Sequence, residues 1–330
     1  DSRRNQMAQK NDRLDKVAVF ISFSTILLPS SQGGIKLSTL SDLITNHPPN
    51  KNAILIPGGP TTTYGEFADQ IEKIAEILSA TGEEKGRTVS IVLGNGLDFM
   101  ITFLAVTRTG AIAAPLNSAY TNEEFKFYMG DTESQLVIIA PGADVAKQAA
   151  DELNIPVAEA NLDNQGRLSI SKSGSLLTAR SSVSAPSEDD IALFLHTSGT
   201  TSRPKGVPLT HGNLMASLQN IVSTYNLTED DLAMVVMPLF HVHGLIGVSL
   251  SAMKSGGSMV IPSRFSASNF WEIQATTNAT WYSAVPTIHQ ILLMRADEDK
   301  APSQSFRFIR SCSAALAPSV FNDLENRFGA

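Results

Sequence analysis

The sequence predicts an α/β fold built on parallel sheets with helices on their faces. Short β-branched runs alternate with segments of helical periodicity in the order strand, helix, strand, helix, an order that lays helices across a parallel sheet. Of the 330 residues, 42% are hydrophobic and 17% charged, enough apolar side chain for a large core and too little charge for a disordered chain. The length exceeds the ~100–200 residues of one usual domain, and a polar, Ser-rich stretch at 161–190 breaks the alternation. The expected division is an extension over 1–37, a first α/β unit over 38–185 and a second over 186–330.

The first unit opens on Thr63-Tyr64-Gly65-Glu66, a capping box in which a Thr hydroxyl and a Glu carboxylate satisfy the free N–H groups of a helix start. Phe67, Ile71, Ile74, Ala75 and Leu78 then share one helical face, and Gly82 ends the helix. TVSIVL at 88–93 reads as a buried strand, 97–107 as an apolar helix and 111–116 as a strand. Thr121-Asn122-Glu123-Glu124 is a second capping box, opening a helix to about Met129, followed by a strand at 135–140 and a helix at 143–153. Ser187-Glu188-Asp189-Asp190 closes the polar stretch, taken as the boundary.

The second unit resumes with a strand at 191–197. Further strands are expected at 232–237, 258–262, 280–285 and 306–311. Helices are expected at 212–225, 244–254, from a Ser268 cap through Thr276, at 286–296, and from Pro318 to just before Gly329.

A net charge of −7 sets the surface against a polyanionic nucleic acid backbone, so no nucleic-acid partner is expected. The single cysteine, Cys312, allows no intrachain disulfide and no cysteine-based zinc site, which fits a reducing compartment. Arg3, Arg4, Lys10, Arg13 and Lys16 precede an apolar run at 17–28. That run is shorter than the ~20 residues a bilayer span needs. It has the flank and length of a secretory signal core, but it is read as an extension outside the domain, and membrane attachment is not expected.

The chemistry concentrates after the strand at 191–197, in TSGTTSRPKG at 197–206. A triphosphate needs many short donors at once. Gly199 and Gly206 let the backbone approach closely. Thr197, Ser198, Thr200 and Thr201 add hydroxyls, successive N–H groups can form an anion nest, and Lys205 adds a point charge, with Arg203 as a second. A flexible linker has similar composition, but the Pro-Lys-Gly ending and the place directly after a buried strand favour a phosphate cradle. It is not the Walker loop, where Gly-Lys-Ser/Thr opens a helix. Here Lys205 precedes Gly206, and Pro204 biases Arg203 away from helical geometry.

The segment from Thr197 to Val207 resembles the signature loop of the acyl-adenylate-forming superfamily, which includes acyl- and aryl-CoA ligases, firefly-type luciferases and nonribosomal peptide adenylation domains. Its TTSRPKGVPLT form is similar to that of plant and fungal oxalate–CoA ligases and the yeast peroxisomal CoA-synthetase relative; Ser202 stands where Gly is usual. The resemblance covers about residues 38–330 and implies a layered αβαβα N-terminal domain with two parallel-rich sheets flanked by helices.

Pro238-Leu239-Phe240-His241-Val242-His243-Gly244 sits between a strand and a helix, the usual place for ligands in open α/β folds. With no acidic or Cys partner nearby, a metal role is not expected, and from the residues alone a structural histidine is the default. By resemblance His241 matches the family histidine beside the acyl carboxylate, orienting it and gating thiol entry. His243 either lines the acid pocket, as a cation or donor, or packs. Ser313, Ala314 and Ala315 match the family's adenine- and acyl-contacting segment, with Ala315 where Pro is common. Tyr282 and Val285 fall in the segment flanking the acid pocket. Cys312, Trp271 and Trp281 are expected in the core.

The implied reaction joins a small carboxylic acid to coenzyme A through acyl-AMP, with ATP and Mg²⁺. A small dicarboxylate such as oxalate is expected first, with medium-chain or aryl acids behind it, in the cytoplasm or peroxisome. The family's metal-contacting Glu, ribose-binding acid, hinge and C-terminal lid do not occur within these 330 residues, so little turnover is expected of this chain alone. A domain serving a carrier protein and a non-catalytic nucleotide binder are the alternatives.

Overall fold

The computed structural model describes residues 39–197, 204–297 and 306–329. The apolar run at 17–28 therefore lies outside the described residues. A single helical turn, α1 (Asp42–Thr45), leads to two short antiparallel strands, β1 (Asn52–Leu55) and β2 (Thr61–Thr63). The capping box forms: the Thr63 hydroxyl accepts the Glu66 N–H, and the Glu66 carboxylate accepts the Thr63 N–H. It starts α2 (Tyr64–Ala80), whose Phe67, Ile71, Ile74, Ala75 and Leu78 are all buried. Then come β3 (Thr88–Val92), α3 (Leu97–Arg108) and β4 (Ile112–Pro115). Next are α4 (Asn122–Asp131), opened by the Thr121–Glu124 box, β5 (Leu136–Ile139) and α5 (Asp144–Glu152).

The polar stretch at 161–190 is not all linker. β6 (Val157–Leu162), β7 (Leu168–Lys172) and β8 (Ser175–Leu176) form an antiparallel extension of the sheet. Asp163 makes the turn between the first two: its carboxylate accepts the N–H groups of Gln165 and Arg167, both at 2.9 Å. The Ser-rich composition concealed an alternation in which only Leu168 and Ile170 of β7 point inward.

The chain continues through β9 (Ile191–Thr197), β10 (Lys205–Thr210), α6 (His211–Tyr225) and β11 (Leu232–Met234). An α-helix was expected from Gly244, but His243–Leu250 winds as a π-helix before the short α7 (Ser251–Lys254). The hydroxyls of Ser249 and Ser251 donate to the carbonyls of Gly244 and Ile246 at 3.0 and 2.6 Å. These links span the same five-residue step as π-type backbone bonds. β12 (Ser258–Val260), α8 (Ala267–Thr277), β13 (Trp281–Ala284), α9 (Pro286–Arg295), β14 (Phe308–Ser311) and α10 (Pro318–Phe328) complete the order. The residue flanking α8 is Ser266, without a side-chain cap, and not Ser268.

Two sheets result. One has six strands in the order β14-β13-β11-β12-β1-β2, the other eight in the order β10-β9-β4-β3-β5-β6-β7-β8. Sheet membership crosses residue 185 in both directions. β1 and β2 join the strands of the second half, while β9 and β10 join those of the first.

The two-residue period of the strands sorts side chains into three cores. Val89, Ile91 and Ile138 of one sheet and Ala233, Met259 and Trp281 of the other enter a shared central core. α3 lies in that core, with ten of its residues buried. The opposite faces meet separate helices. Val92, Val137 and Ile139 pack with Phe125, Met129 and Ala149. Met234, Val260 and Tyr282 pack with Phe270, Leu292 and Phe328. The layering is helix, sheet, helix, sheet, helix. No helix among the described residues is long and apolar enough to cross a membrane.

Candidate active site

β9 and β10 form an antiparallel hairpin in which Thr197 faces Lys205 and His196 faces Gly206. The Thr197 hydroxyl points at the Lys205 carbonyl at 3.5 Å, and both side chains are exposed. Ser198, Gly199, Thr200 and Thr201 lie outside the described residues. The described residues on either side thus pair as antiparallel strands, where the Lys of a Walker loop would open a helix. Gly206 has a steric reason: a Cβ there would stand 2.6 Å from Cε1 of the Phe194 ring. His196 anchors the hairpin root, its Nε2 lying 2.9 Å from the Asp131 carboxylate at the end of α4.

β9 runs parallel to β4, and β4 to β3. Thr197 and Lys205 therefore lie at the same end of their sheet as Gly94-Asn95-Gly96, just past β3. The Asn95 side chain reaches the other sheet: Nδ2 donates to the Met237 carbonyl at 3.0 Å, and Oδ1 accepts the Leu239 N–H at 2.8 Å. The carboxyl ends of both sheets are thereby held together, the position where open α/β sheets bind ligands.

The segment Asn95 grips runs into His241. The His241 N–H donates to the Pro238 carbonyl at 3.2 Å, and its carbonyl accepts the Leu245 N–H at 3.0 Å. Gly244 closes this turn; a Cβ there would lie 2.8 Å from the Met237 carbonyl oxygen and closer still to that of Pro238. His241 is exposed, yet the protein around it desolvates the ring enough to hold its pKa below the ordinary value.

His243, two residues further on, is buried. Its Nε2 lies 2.8 Å from Ser283 Oγ, and that hydroxyl donates to the Arg310 carbonyl at 3.1 Å. The Ser proton is thus committed, so the imidazole must be the donor, protonated on Nε2. Burial lowers its pKa to about 3, with the Arg310 and His241 charges adding to the effect. Burial thus favours the neutral form of the His243 ring. The positive charge beside it belongs to Arg310, whose Nη1 donates to the Gly247 carbonyl at 3.0 Å while the guanidinium lies over the Tyr225 ring. Gly247 makes room for both groups: a Cβ there would lie 3.1 Å from His243 Nδ1 and 3.5 Å from Arg310 Nη1. Ser283 lies within the segment expected to flank the acid pocket, without being singled out there; Arg310 and Asn95 carried no motif, and the only signal for Asn95 was its place between two glycines at a strand end.

At the end of β14, Ser313, Ala314 and Ala315 are exposed. Ser313 has φ of +64° and the Ala314 N–H turns back to the Cys312 carbonyl at 2.8 Å. A non-glycine residue in this region costs of order 1 kcal/mol or more, and the tight turn presents backbone outward. Cys312 is buried, and burial raises its thiol pKa. Val285 is half-buried and caps α9. Tyr282 lies fully in the core and not on an accessible wall. Its hydroxyl donates to His289 Nδ1 at 3.0 Å, and His289 Nε2 donates to the Ala284 carbonyl at 3.1 Å. Trp271 and Trp281 are buried as expected. Among the described residues no three His, Cys, Asp or Glu side chains converge as a metal site.

The model of the AMP-binding enzyme family matches residues 43–330. The chain is 46% identical over 304 residues to an oxalate–CoA ligase of Arabidopsis thaliana, covering 88% of this chain and 59% of that protein. It is 40% identical over 267 residues to an oxalate–CoA ligase of Saccharomyces cerevisiae, covering 74% and 49%. A probable CoA ligase of Humulus lupulus is 47% identical over 288 residues, covering 85% and 55%. The chain spans about half the length of these curated relatives. Among solved structures, ATP-bound MatB from Rhodopseudomonas palustris matches with a TM-score of 0.75 at 26% identity, over 88% of this chain and 58% of that one. With its two parallel-rich sheets and its Thr197–Lys205 hairpin, the chain belongs to the AMP-binding family of adenylate-forming enzymes, alongside CoA ligases.

Proposed function

We propose that this chain binds ATP and a small carboxylic acid, oxalate or a close relative, in an acid–CoA ligase. An oxygen of the acid attacks the α-phosphorus of ATP, forming acyl-AMP and releasing pyrophosphate. The sulfur of coenzyme A then attacks the acyl carbon, a thioester forms, AMP leaves and the thiol proton passes to solvent. The observation that carries this reading is that Thr197 and Lys205 of one sheet and the His241 turn of the other lie at the same, carboxyl end of the stacked sheets. Lys205 and the loop hydroxyls would bind phosphate, His241 would orient the acid, and the turn at Ser313 to Ala315 would receive the adenine. The Arg310 guanidinium beside the buried His243 suits a compact acid with a second anionic group. The similarity to two oxalate–CoA ligases points the same way.

The test is binding, which does not require turnover. Thermal unfolding is followed with ATP, with oxalate, with both, and with acetate or a medium-chain acid in place of oxalate. ATP should raise the midpoint, and oxalate should add a further rise in its presence, more than acetate does. Absence of any ATP effect would sink the reading; a medium-chain acid outperforming oxalate would remove the small-acid part.

A further inference from the structure

The geometry points to Asn95 as a positioning residue that sets the His241 turn from across the sheet interface. The inference rests on the reading that His241 faces the acid. Asn95 belongs to the eight-stranded sheet, whereas Met237, Leu239 and His241 follow β11 of the six-stranded one. Its amide meets the backbone on both sides of Pro238, giving a proton to Met237 and taking one from Leu239, at 3.0 and 2.8 Å. Pro238 has no N–H, so the strand ladder cannot continue through it. The Asn95 side chain supplies in place of that ladder one donor and one acceptor, as a peptide group of a neighbouring strand would. Only an amide does both at once: Asp offers two acceptors, and Ala neither.

The constraint passes directly to His241. The Met237 and Pro238 carbonyls that frame the turn are the two that Gly244 packs against, and the Pro238 carbonyl accepts the His241 N–H. A merely structural amide would be worth a share of global stability. A positioning amide acts locally, on Leu239, His241 and the acid.

The experiment compares the wild-type chain with Asn95→Ala and Asn95→Asp. It reads amide hydrogen exchange, the His241 proton titration by NMR, and ATP and oxalate binding. In Asn95→Ala the Leu239 N–H should exchange about tenfold faster, the loss of one hydrogen bond, while Ala233 and Met234 in β11 keep their wild-type rates. The His241 titration midpoint should rise toward the ordinary imidazole value as the turn opens to water. Oxalate affinity in the presence of ATP should fall several-fold with ATP affinity unchanged. Asn95→Asp keeps the shape and the Leu239 acceptor, so it should protect Leu239 but still displace His241, and it provides the reading if the alanine variant does not fold. Equal acceleration across β11, or a Leu239 amide and His241 titration unchanged in both variants, would overturn the inference. If wild-type chain binds no oxalate, the small-acid reading fails, while the exchange and titration results still decide the role of Asn95.

Discussion

His243 donates its Nε2–H to Ser283, and Ser283 spends its own proton on the Arg310 carbonyl, so one hydroxyl joins the π-helix, β13 and β14. Replacing Ser283 by Ala strands the buried imidazole donor and removes a hydrogen bond from the Arg310 carbonyl. An unsatisfied buried donor costs about 1–3 kcal/mol. Urea unfolding of Ser283→Ala should show a loss in that range, with the slope of the transition unchanged. A loss below about 0.5 kcal/mol would mean the hydroxyl is not a joint.

Three buried histidines, His211, His243 and His289, have pKa values lowered by burial to about 4, 3 and 4. In the unfolded chain each titrates near 6.5. As pH falls below that value the unfolded state takes up protons that the native state refuses. Stability is therefore full above about pH 6.5 and declines as pH falls toward about 4, at up to about 1.4 kcal/mol per histidine per pH unit. Glu83 and Asp98, whose pKa values burial raises, work in the opposite sense and soften the slope. Denaturation midpoints from pH 7.5 to 4.5 should fall steadily, and less steeply in His289→Asn; a flat profile contradicts the buried neutral rings.

Lys205 is exposed at the hairpin root and forms no salt bridge among the described residues. Its removal should leave stability alone and act on nucleotide. A charge-assisted hydrogen bond is worth ~1.5–3 kcal/mol, so Lys205→Ala should weaken ATP by about tenfold to a hundredfold, measured by calorimetry. Unchanged ATP affinity would remove Lys205 from the phosphate site.

Gly206 and Gly244 both exclude a methyl group, against different neighbours. At Gly206 the obstacle is the end of the Phe194 ring, which can swing; at Gly244 it is backbone carbonyl on two sides. Gly244→Ala should therefore destabilise more than Gly206→Ala, by about 3 kcal/mol against 1–2 kcal/mol on the scale of overpacking. Gly206→Ala should chiefly lower ATP affinity. Equal losses of stability would show that the His241 turn is more pliable than its geometry implies.

Most of the helices and central strands were legible because local chemistry marks them. Thr63 with Glu66 and Thr121 with Glu124 name helix starts outright, and TVSIVL can hardly be other than a buried strand. The third capping box, Thr210 with Asn213, escaped notice because Asn does there what Glu usually does. β6 to β8 escaped because an edge sheet needs few apolar residues. The π-helix left no mark, since the extra residue per turn follows from packing of Ser249 and Ser251. At the site, the loop at 197–206 and the His241 segment stood out as motifs, while the pairing of β10 back onto β9 did not. Which face of its strand Tyr282 takes, the core, could not be read from the segment because a strand residue points to either face by register alone, and the contacts of Asn95 are defined only by the partner sheet.

The exchange of strands between the two sheets has a consequence for making the protein. Ile54 pairs with Met259, and at about 5–20 residues per second on the ribosome the later strand follows the earlier by roughly 10–40 seconds. For that interval the β1–β2 hairpin has an open apolar edge and no place to dock. Ala113 waits in the same way for Leu193. Neither sheet can be finished before the other is well advanced, so the nascent chain needs shelter for its unpaired edges until the last crossing strand emerges.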